Sequence, residues 1–214
     1  RLKTTRHLVS AMATLAKPPS VLVNASAVGF FGTSLDGRFE ESSPVGQDFL
    51  ARLCQKWEQA AAEKPAATRL VVLRIGIVLS SQGGALAKML PVFRAGFGGP
   101  IGSGQQWMSW IERGDLCRII QSSLETDSWS GVINAVAPDP VTMAVFAGSL
   151  GRCLGRPSLL PVPGPMLQLL LGDGSKVVLE GQFVSSSRLE ALGFNFLCPT
   201  LPVALDVATS SSNR

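Results

Sequence analysis

Apolar residues return every three or four positions from the start of the chain. In "RLKTTRHLVSAMATLAK", Leu2, Thr5, Leu8, Val9, Met12 and then Leu15 or Ala16 share one face, the spacing of an amphipathic helix. Pro18 and Pro19 stop it, and the pattern changes to a short continuous apolar run rich in β-branched residues, "SVLVNASAVG", which suits a strand covered on both faces. A Gly/Ser/Asp loop extends to about Gly46. The helical period then resumes in "QDFLARLCQKWEQAAAEK", where Phe49, Leu50, Leu53, Cys54 and Trp57 form the stripe and Asp48 stands at the N-cap position. "RLVVLRIGIVLS" reads as a second buried strand and "GGALAKMLPVFRAG" as one helix or two short ones. The loop "FGGPIGSGQQ" leads into "WMSWI", and a helix from near Gly114 runs through "DLCRIIQSSLE". "GVINAVA" is a third strand, and "PVTMAVFAGSLGRCLG" a further helix whose start is marked by Pro140 and Thr142.

Strands alternating with helices predict an α/β fold, with right-handed crossovers and a parallel sheet flanked by helices on both faces. The texture changes at "RPSLLPVPGPM", where Pro-rich turns and short helices lead to a last apolar patch in "LEALGFNFLCPTLPVAL". Residues 157–206 therefore read as a smaller, mainly helical lobe, and 207–214 as a disordered tail. No internal repeat is seen. The chain starts at Arg1, without methionine and inside a helical pattern, so further residues are expected upstream, any targeting peptide among them.

Composition narrows the classes. With 214 residues and 46% hydrophobic content the chain can build one well-packed core, and a soluble globular protein is expected. The nineteen Lys and Arg give a net charge of +4 but are scattered singly, so no nucleic-acid stripe is formed. No apolar run is long enough to span a bilayer. Cys54, Cys117, Cys153 and Cys198 lie far apart with a single histidine, His7, which argues for reduced thiols and against a metal site or a disulfide framework.

Generic site motifs are missing. No G-x-G-x-x-G or Walker A sequence occurs, and "GSGQQW" puts Trp107 where a third glycine belongs. His7 sits in the first helix, far from any nucleophile that could complete a Ser-His-Asp triad. The adjacent Glu40 and Glu41 read as a solvated loop. The chain also contains no tyrosine, which excludes any mechanism that needs a phenol.

Taken in order, "NASAVGFFG", "DFLARLCQKWE", "VVLRIGIVL", "GGALAKMLPVF", "GGPIGSGQQWMSWI", "GVINAVAPDPV" and "LGFNF" resemble the epimerase-like subfamily of extended or atypical short-chain dehydrogenases/reductases along nearly the whole chain. "GPIGSGQQWMSWI" and "KVVLEGQFV" are most similar to its cyanobacterial and plastid branch, whose plant members resemble cell-division-inhibitor-like proteins; this implies a chloroplast location, the alternative being a soluble cytoplasmic one. The resemblance implies that residues 1–156 are an incomplete Rossmann-type NAD(P)-binding domain and that the half carrying the glycine-rich turn precedes Arg1. The strand from Val21 to Asn24 would then have lost a neighbour, and the isolated piece is expected to be poorly soluble.

In that superfamily a Ser polarises the substrate oxygen, while a Tyr-x-x-x-Lys pair on the next helix moves the proton, the lysine lowering the phenol's pKa. The resemblance puts Ser26 at the serine position and, aligned through Glu58, Leu50 and Cys54 at the Tyr and Lys positions. Leucine cannot ionise, and a buried cysteine with no cation beside it stays a thiol. Gly29-Phe30-Phe31-Gly32 stands where the subfamily commonly has "GYYG", so a surrogate phenol is lost too.

The same resemblance implies cofactor contacts at Ala25, Arg74, Ile75, Gly76 and Ile77, with Arg74 alternatively a structural ion-pair partner. It implies a substrate-side loop with Gly102, Gly104, Gln106, Trp107 and Trp110, whose aromatics could equally fill the gap between lobes. Glu112 replaces a histidine usual in the family, and Asp115 reads as a helix-start residue. Two functions follow: an NAD(P)-dependent epimerase, dehydratase or reductase with degenerate catalytic residues, or a non-catalytic scaffold or regulator that keeps the nucleotide fold, with protein partners in plastid division. A third, a substrate-binding module without cofactor, applies if no upstream half exists.

Overall fold

The computed structural model describes residues 1–158 and 181–210. The turns and short helices expected at 159–180 lie outside the described residues. Helix α1 (Leu2–Ala13) is followed by strand β1 (Val21–Ala27), a 3-10 turn (Val28–Phe31), a two-residue strand β2 (Arg38–Phe39) and helix α2 (Phe49–Ala62). Strands β3 (Arg69–Ile75) and β4 (Ile77–Leu79), helix α3 (Gly84–Arg94), strands β5 (Trp107–Met108) and β6 (Trp110–Glu112) and helix α4 (Arg113–Glu125) come next. The chain continues with β7 (Gly131–Ala135), β8 (Val141–Thr142), α5 (Met143–Cys153), β9 (Phe183–Val184), α6 (Ser187–Ala191) and α7 (Leu201–Ser210).

The α/β architecture is as the hydrophobic pattern predicts. The central sheet is parallel, in the order β1-β3-β7, with Ser26 opposite Arg74 and Arg74 opposite Asn134. β1 pairs on one side only among the described residues. Its neighbours are helix-connected crossovers, which parallel pairing demands. Val71, Leu73 and Ile133 are fully buried, consistent with strands covered on both faces.

Several boundaries depart from the sequence reading. "RLVVLRIGIVLS" is two strands, because the chain changes partner at Gly76: its N–H bonds Ala135 O, whereas the next N–H, of Ile77, bonds Ser109 O. Any Cβ at Gly76 would stand 2.5 Å from Ser109 O, so only glycine allows this approach. "WMSWI" likewise splits, β5 pairing with β8 and β6 with β4, with Ser109 between them. "GGALAKMLPVFRAG" is a single helix with Pro91 inside it. Phe49, expected on the buried stripe of α2, is 81% exposed, since the helix begins there and its packed face is carried by Ala51, Cys54, Ala60 and Ala61. Helix α7 runs to Ser210, so residues 207–210, expected in the tail, are helical: Ala204, Leu205 and Ala208 are held in the core. That core is shared, because Leu189, Phe194, Leu201 and Leu205 cluster with Leu73, Ile133 and Phe146.

Asp115 does more than start a helix. Fully buried, its carboxylate accepts the backbone N–H groups of Leu197 and Cys198 at 3.0 and 2.9 Å and pairs with Arg118 at 2.9 Å, fastening the C-terminal segment to α4. Glu112, standing where the family resemblance led us to expect a histidine, is the N-cap of α4 and accepts from the N–H groups of Gly114 and Asp115.

Candidate functional site

At the C-terminal ends of β1 and β3 a cleft of about 470 Å³ opens, the place where parallel α/β sheets carry their ligands. Ala25 to Gly29 form one rim and Ile75 to Ile77 another. Leu50, Leu53, Cys54 and Trp57 of α2 supply a wall, and Trp107, Ser109, Gly181 and Gln182 close the far side. Asp48 holds the start of α2 over the cleft by accepting Ala51 N–H at 2.8 Å.

Behind Ser26 lies a buried polar network. Ser26 Oγ donates to Glu58 Oε1 at 2.6 Å. Arg74 Nε and Nη2 donate to the two oxygens of the same carboxylate at 3.0 and 2.9 Å, a two-point pair whose side chains are 5% and 12% exposed. Arg74 Nη1 donates to Glu41 O at 3.1 Å, and the guanidinium lies under the rings of Phe30 and Phe31. Glu41 is no solvated loop residue: its carboxylate accepts Asn134 N–H at 2.8 Å. The polar row Ser26, Arg74, Asn134 thus crosses all three strands and is roofed by Glu41 and Glu58.

Cys54 faces this network. Burial pushes its thiol pKa up; contacts with Ser26 and the Ala27 backbone pull it down, Glu58 adds to the rise and Arg74 opposes it. The sequence reading assumed no cation nearby. Arg74 is there, but desolvation outweighs it and the group remains a thiol.

The expected site residues divide. Ala25, Ser26, Ile75, Gly76, Ile77 and Trp107 line the cleft. Arg74 does not, since its donors are occupied in the ion pair. Gly102 is exposed on its loop, the Gln106 side chain donates to Ile101 O at 2.8 Å, and Trp110 is fully buried with its indole N–H on Asp139 O. Sequence reasoning missed Glu58, Trp57, Ser109 and Gln182. Glu58 carried a signal: it follows Cys54 by four positions, on the side of α2 that faces the sheet.

Over 207 residues the chain is 42% identical to the human epimerase family protein SDR39U1, covering 96% of this chain and 71% of the relative. The chain belongs to the SDR39U1 epimerase family. The Arabidopsis thaliana chloroplastic SDR39U1 homologue is 51% identical over 178 residues, or 83% of this chain. The chain spans about half (51%) of that relative's length. Residues 162–208 match a domain of unknown function, DUF1731. Among solved structures, human SDR39U1 (isoform 2) with NADPH superposes with a TM-score of 0.92 at 40% identity, covering 98% of this chain and 72% of that one. A nucleoside-diphosphate sugar epimerase from Corynebacterium glutamicum gives a TM-score of 0.78 at 31% identity, covering 98% of this chain and 42% of that one. UDP-glucuronic acid 4-epimerase from Bacillus cereus, with a TM-score of 0.73 at 16% identity over 96% of this chain and 65% of that one, shares the fold. The SDR39U1 family is thus a Rossmann-like α/β family, and this cleft lies where its sheet ends. Among the described residues no helix is long and apolar enough to cross a membrane.

Proposed function

We propose that this chain forms the substrate-side part of an NAD(P)-dependent epimerase-like or reductase-like protein whose nicotinamide end rests against Ala25, Ser26 and Ile75 to Ile77. The observation that carries this reading is the cleft itself: backbone rims at two strand ends and apolar walls from Leu50, Leu53 and Trp57 suit a flat, neutral ring. The lining fits that end of a dinucleotide and not its pyrophosphate, because Arg1 is its one basic residue among the described residues. NADPH, bound to the human relative, supports NADP(H) over NAD(H). The cofactor would supply hydride exchange; the chain's own part is to orient the substrate at Ser26, exclude water with Trp57 and Trp107, and hold Ser26 through Glu58 and Arg74.

A second reading, a non-catalytic scaffold that binds cofactor, is favoured by one specific feature. Leu50 and Cys54 line the cleft where the resemblance puts the proton-moving pair, and neither can act as a general acid near neutrality. The chloroplastic relative from Arabidopsis supports a plastid location.

The test is NADPH fluorescence titration of the full-length protein, followed by turnover against a carbonyl panel with Ser26→Ala as control. Tight NADPH binding with Ser26-dependent turnover supports the enzyme. Tight binding without turnover leaves the scaffold, and no binding overturns both.

A further inference from the structure

The direction of one hydrogen bond constrains what this cleft can hold. An ionised carboxylate only accepts, so across the 2.6 Å contact between Ser26 and Glu58 the proton must come from the serine. Glu58 is kept in that role by the two-point pair with Arg74. Ser26 therefore turns lone pairs, and no proton, toward the cleft. Swinging the hydroxyl round to a substrate carbonyl would break a buried, charge-assisted bond. Cys54 does not change this, because a protonated thiol beside Ser26 offers its own weak S–H and leaves an oxygen lone pair free.

The opposite side of the cleft carries the complement. Gln182 is 8% exposed and lines the cleft. Its backbone is pinned, its carbonyl accepting Ser109 Oγ–H at 2.9 Å, while Ser109 O accepts the N–H of Ile77 at 2.8 Å. Among the described residues no hydrogen bond is made by its side-chain amide, a group that can both donate and accept. The amide is not among the buried unpartnered groups of the described residues, so its atoms are open to solvent, and a ligand in the cleft that Gln182 lines can pair with them in place of water.

We propose, on the reading of this cleft as the family's ligand site, that it binds a neutral, largely apolar alcohol, whose hydroxyl donates to Ser26 and accepts from Gln182. Such a hydroxyl satisfies both groups at once. A ketone oxygen could accept from Gln182 but would set its lone pairs against those of Ser26. A nucleotide sugar fits worse: Leu50, Leu53, Trp57 and Trp107 are apolar or aromatic, Asp48 is acidic, and among the described residues Arg1 is the one base in the lining, where a diphosphate would need a fork of arginines or lysines. The substrate class is thereby separated from that of the nucleotide-sugar epimerases that share the fold.

The experiment uses the full-length protein and three probes: 4-phenyl-2-butanol, 4-phenyl-2-butanone and UDP-glucose. NADPH binding is measured first. The alcohol is then titrated with NADPH present and the ketone with NADP⁺, pairs that cannot react, and binding is followed by saturation-transfer NMR. The wild type should bind the alcohol and not UDP-glucose. Ser26→Ala should weaken the alcohol about tenfold and leave the ketone unchanged, each compared with its cofactor held constant. Gln182→Leu should weaken both ligands. Glu58→Gln, whose amide can donate to Ser26 and release the serine proton, should tighten the ketone. Should that variant fail to fold, Ser26→Ala and Gln182→Leu still decide. Tighter binding of UDP-glucose than of the alcohol, equal loss of both ligands in Ser26→Ala, or no alcohol binding by a protein that binds NADPH overturns the proposal alone. Absence of NADPH binding overturns the reading on which it rests.

Discussion

The guanidinium carbon of Arg74 sits 3.4 Å from the centre of the Phe30 ring, with Phe31 on its flank at 4.9 Å. The charge of Arg74 is thus covered by aromatic faces on one side and neutralised by Glu58 on the other. The two phenylalanines, standing where the family resemblance led us to expect tyrosines, shield a buried cation. Replacing Phe30 with Leu should remove the ring contact and cost about 1–3 kcal/mol, combining lost cation–π attraction with lost packing. Urea unfolding of Phe30→Leu beside the wild type measures it, and an unchanged midpoint would mean the ring contributes nothing.

The ion pair itself should behave as buried pairs do. Arg74→Met leaves Glu58 without its counterion and should cost about 3–5 kcal/mol, whereas the double variant Arg74→Met/Glu58→Leu should recover much of that loss. A double-mutant cycle by chemical denaturation reads the coupling. Additive losses would show that the two side chains act independently.

Asp115 makes a prediction about local order. Asp115→Ala strips the partners from the Leu197 and Cys198 N–H groups and from Arg118, which should destabilise the protein by about 2–4 kcal/mol. Hydrogen exchange should accelerate first at those two amides and along α7, ahead of the central sheet. Uniform acceleration across β3 and β7 would argue against a local fastening.

The thiols should divide by environment. Cys117 and Cys153 are exposed, while Cys54 and Cys198 are buried. Two thiols should therefore react quickly with Ellman's reagent at pH 8 and two only on unfolding. Burial first, then the nearby charges of Glu112 and Asp115, push the Cys198 pKa to about 11, from 9.0. A raised folded pKa means that the folded state holds the proton more tightly. The stability this contributes is complete below pH 9 and lost as pH rises towards 11. Melting temperature should fall across that window, and less steeply in Cys198→Ala; identical slopes would remove Cys198 from the account.

The alternation of strand and helix was legible because buried parallel strands and amphipathic helices carry different periods, and Asp48 and Thr142 announced their caps. The places where strands change partners were not. Gly76 was expected as a cofactor contact within one continuous strand, and only the approach of Ser109 from a distant segment shows why the strand breaks there. Arg74 was legible as a problem, a charge inside an apolar strand that needs a partner, and the helical spacing of Glu58 from Cys54 was the one local hint to which acid supplies it. Gln182 was invisible, since its importance comes from being pinned to Ser109 across 73 positions of chain.

Besides Arg1, the walls of the cleft come from five stretches spread between Ala25 and Gln182, brought together by parallel pairing of strands and by packing of α2 against them. Contacts at such separation form slowly and late, because loop closure has to precede them. The cleft is accordingly a record of complete folding. A half-folded chain has no partial version of it to offer, so a ligand that binds there would draw only from the finished population, and its presence in a cell would protect those copies that had already succeeded.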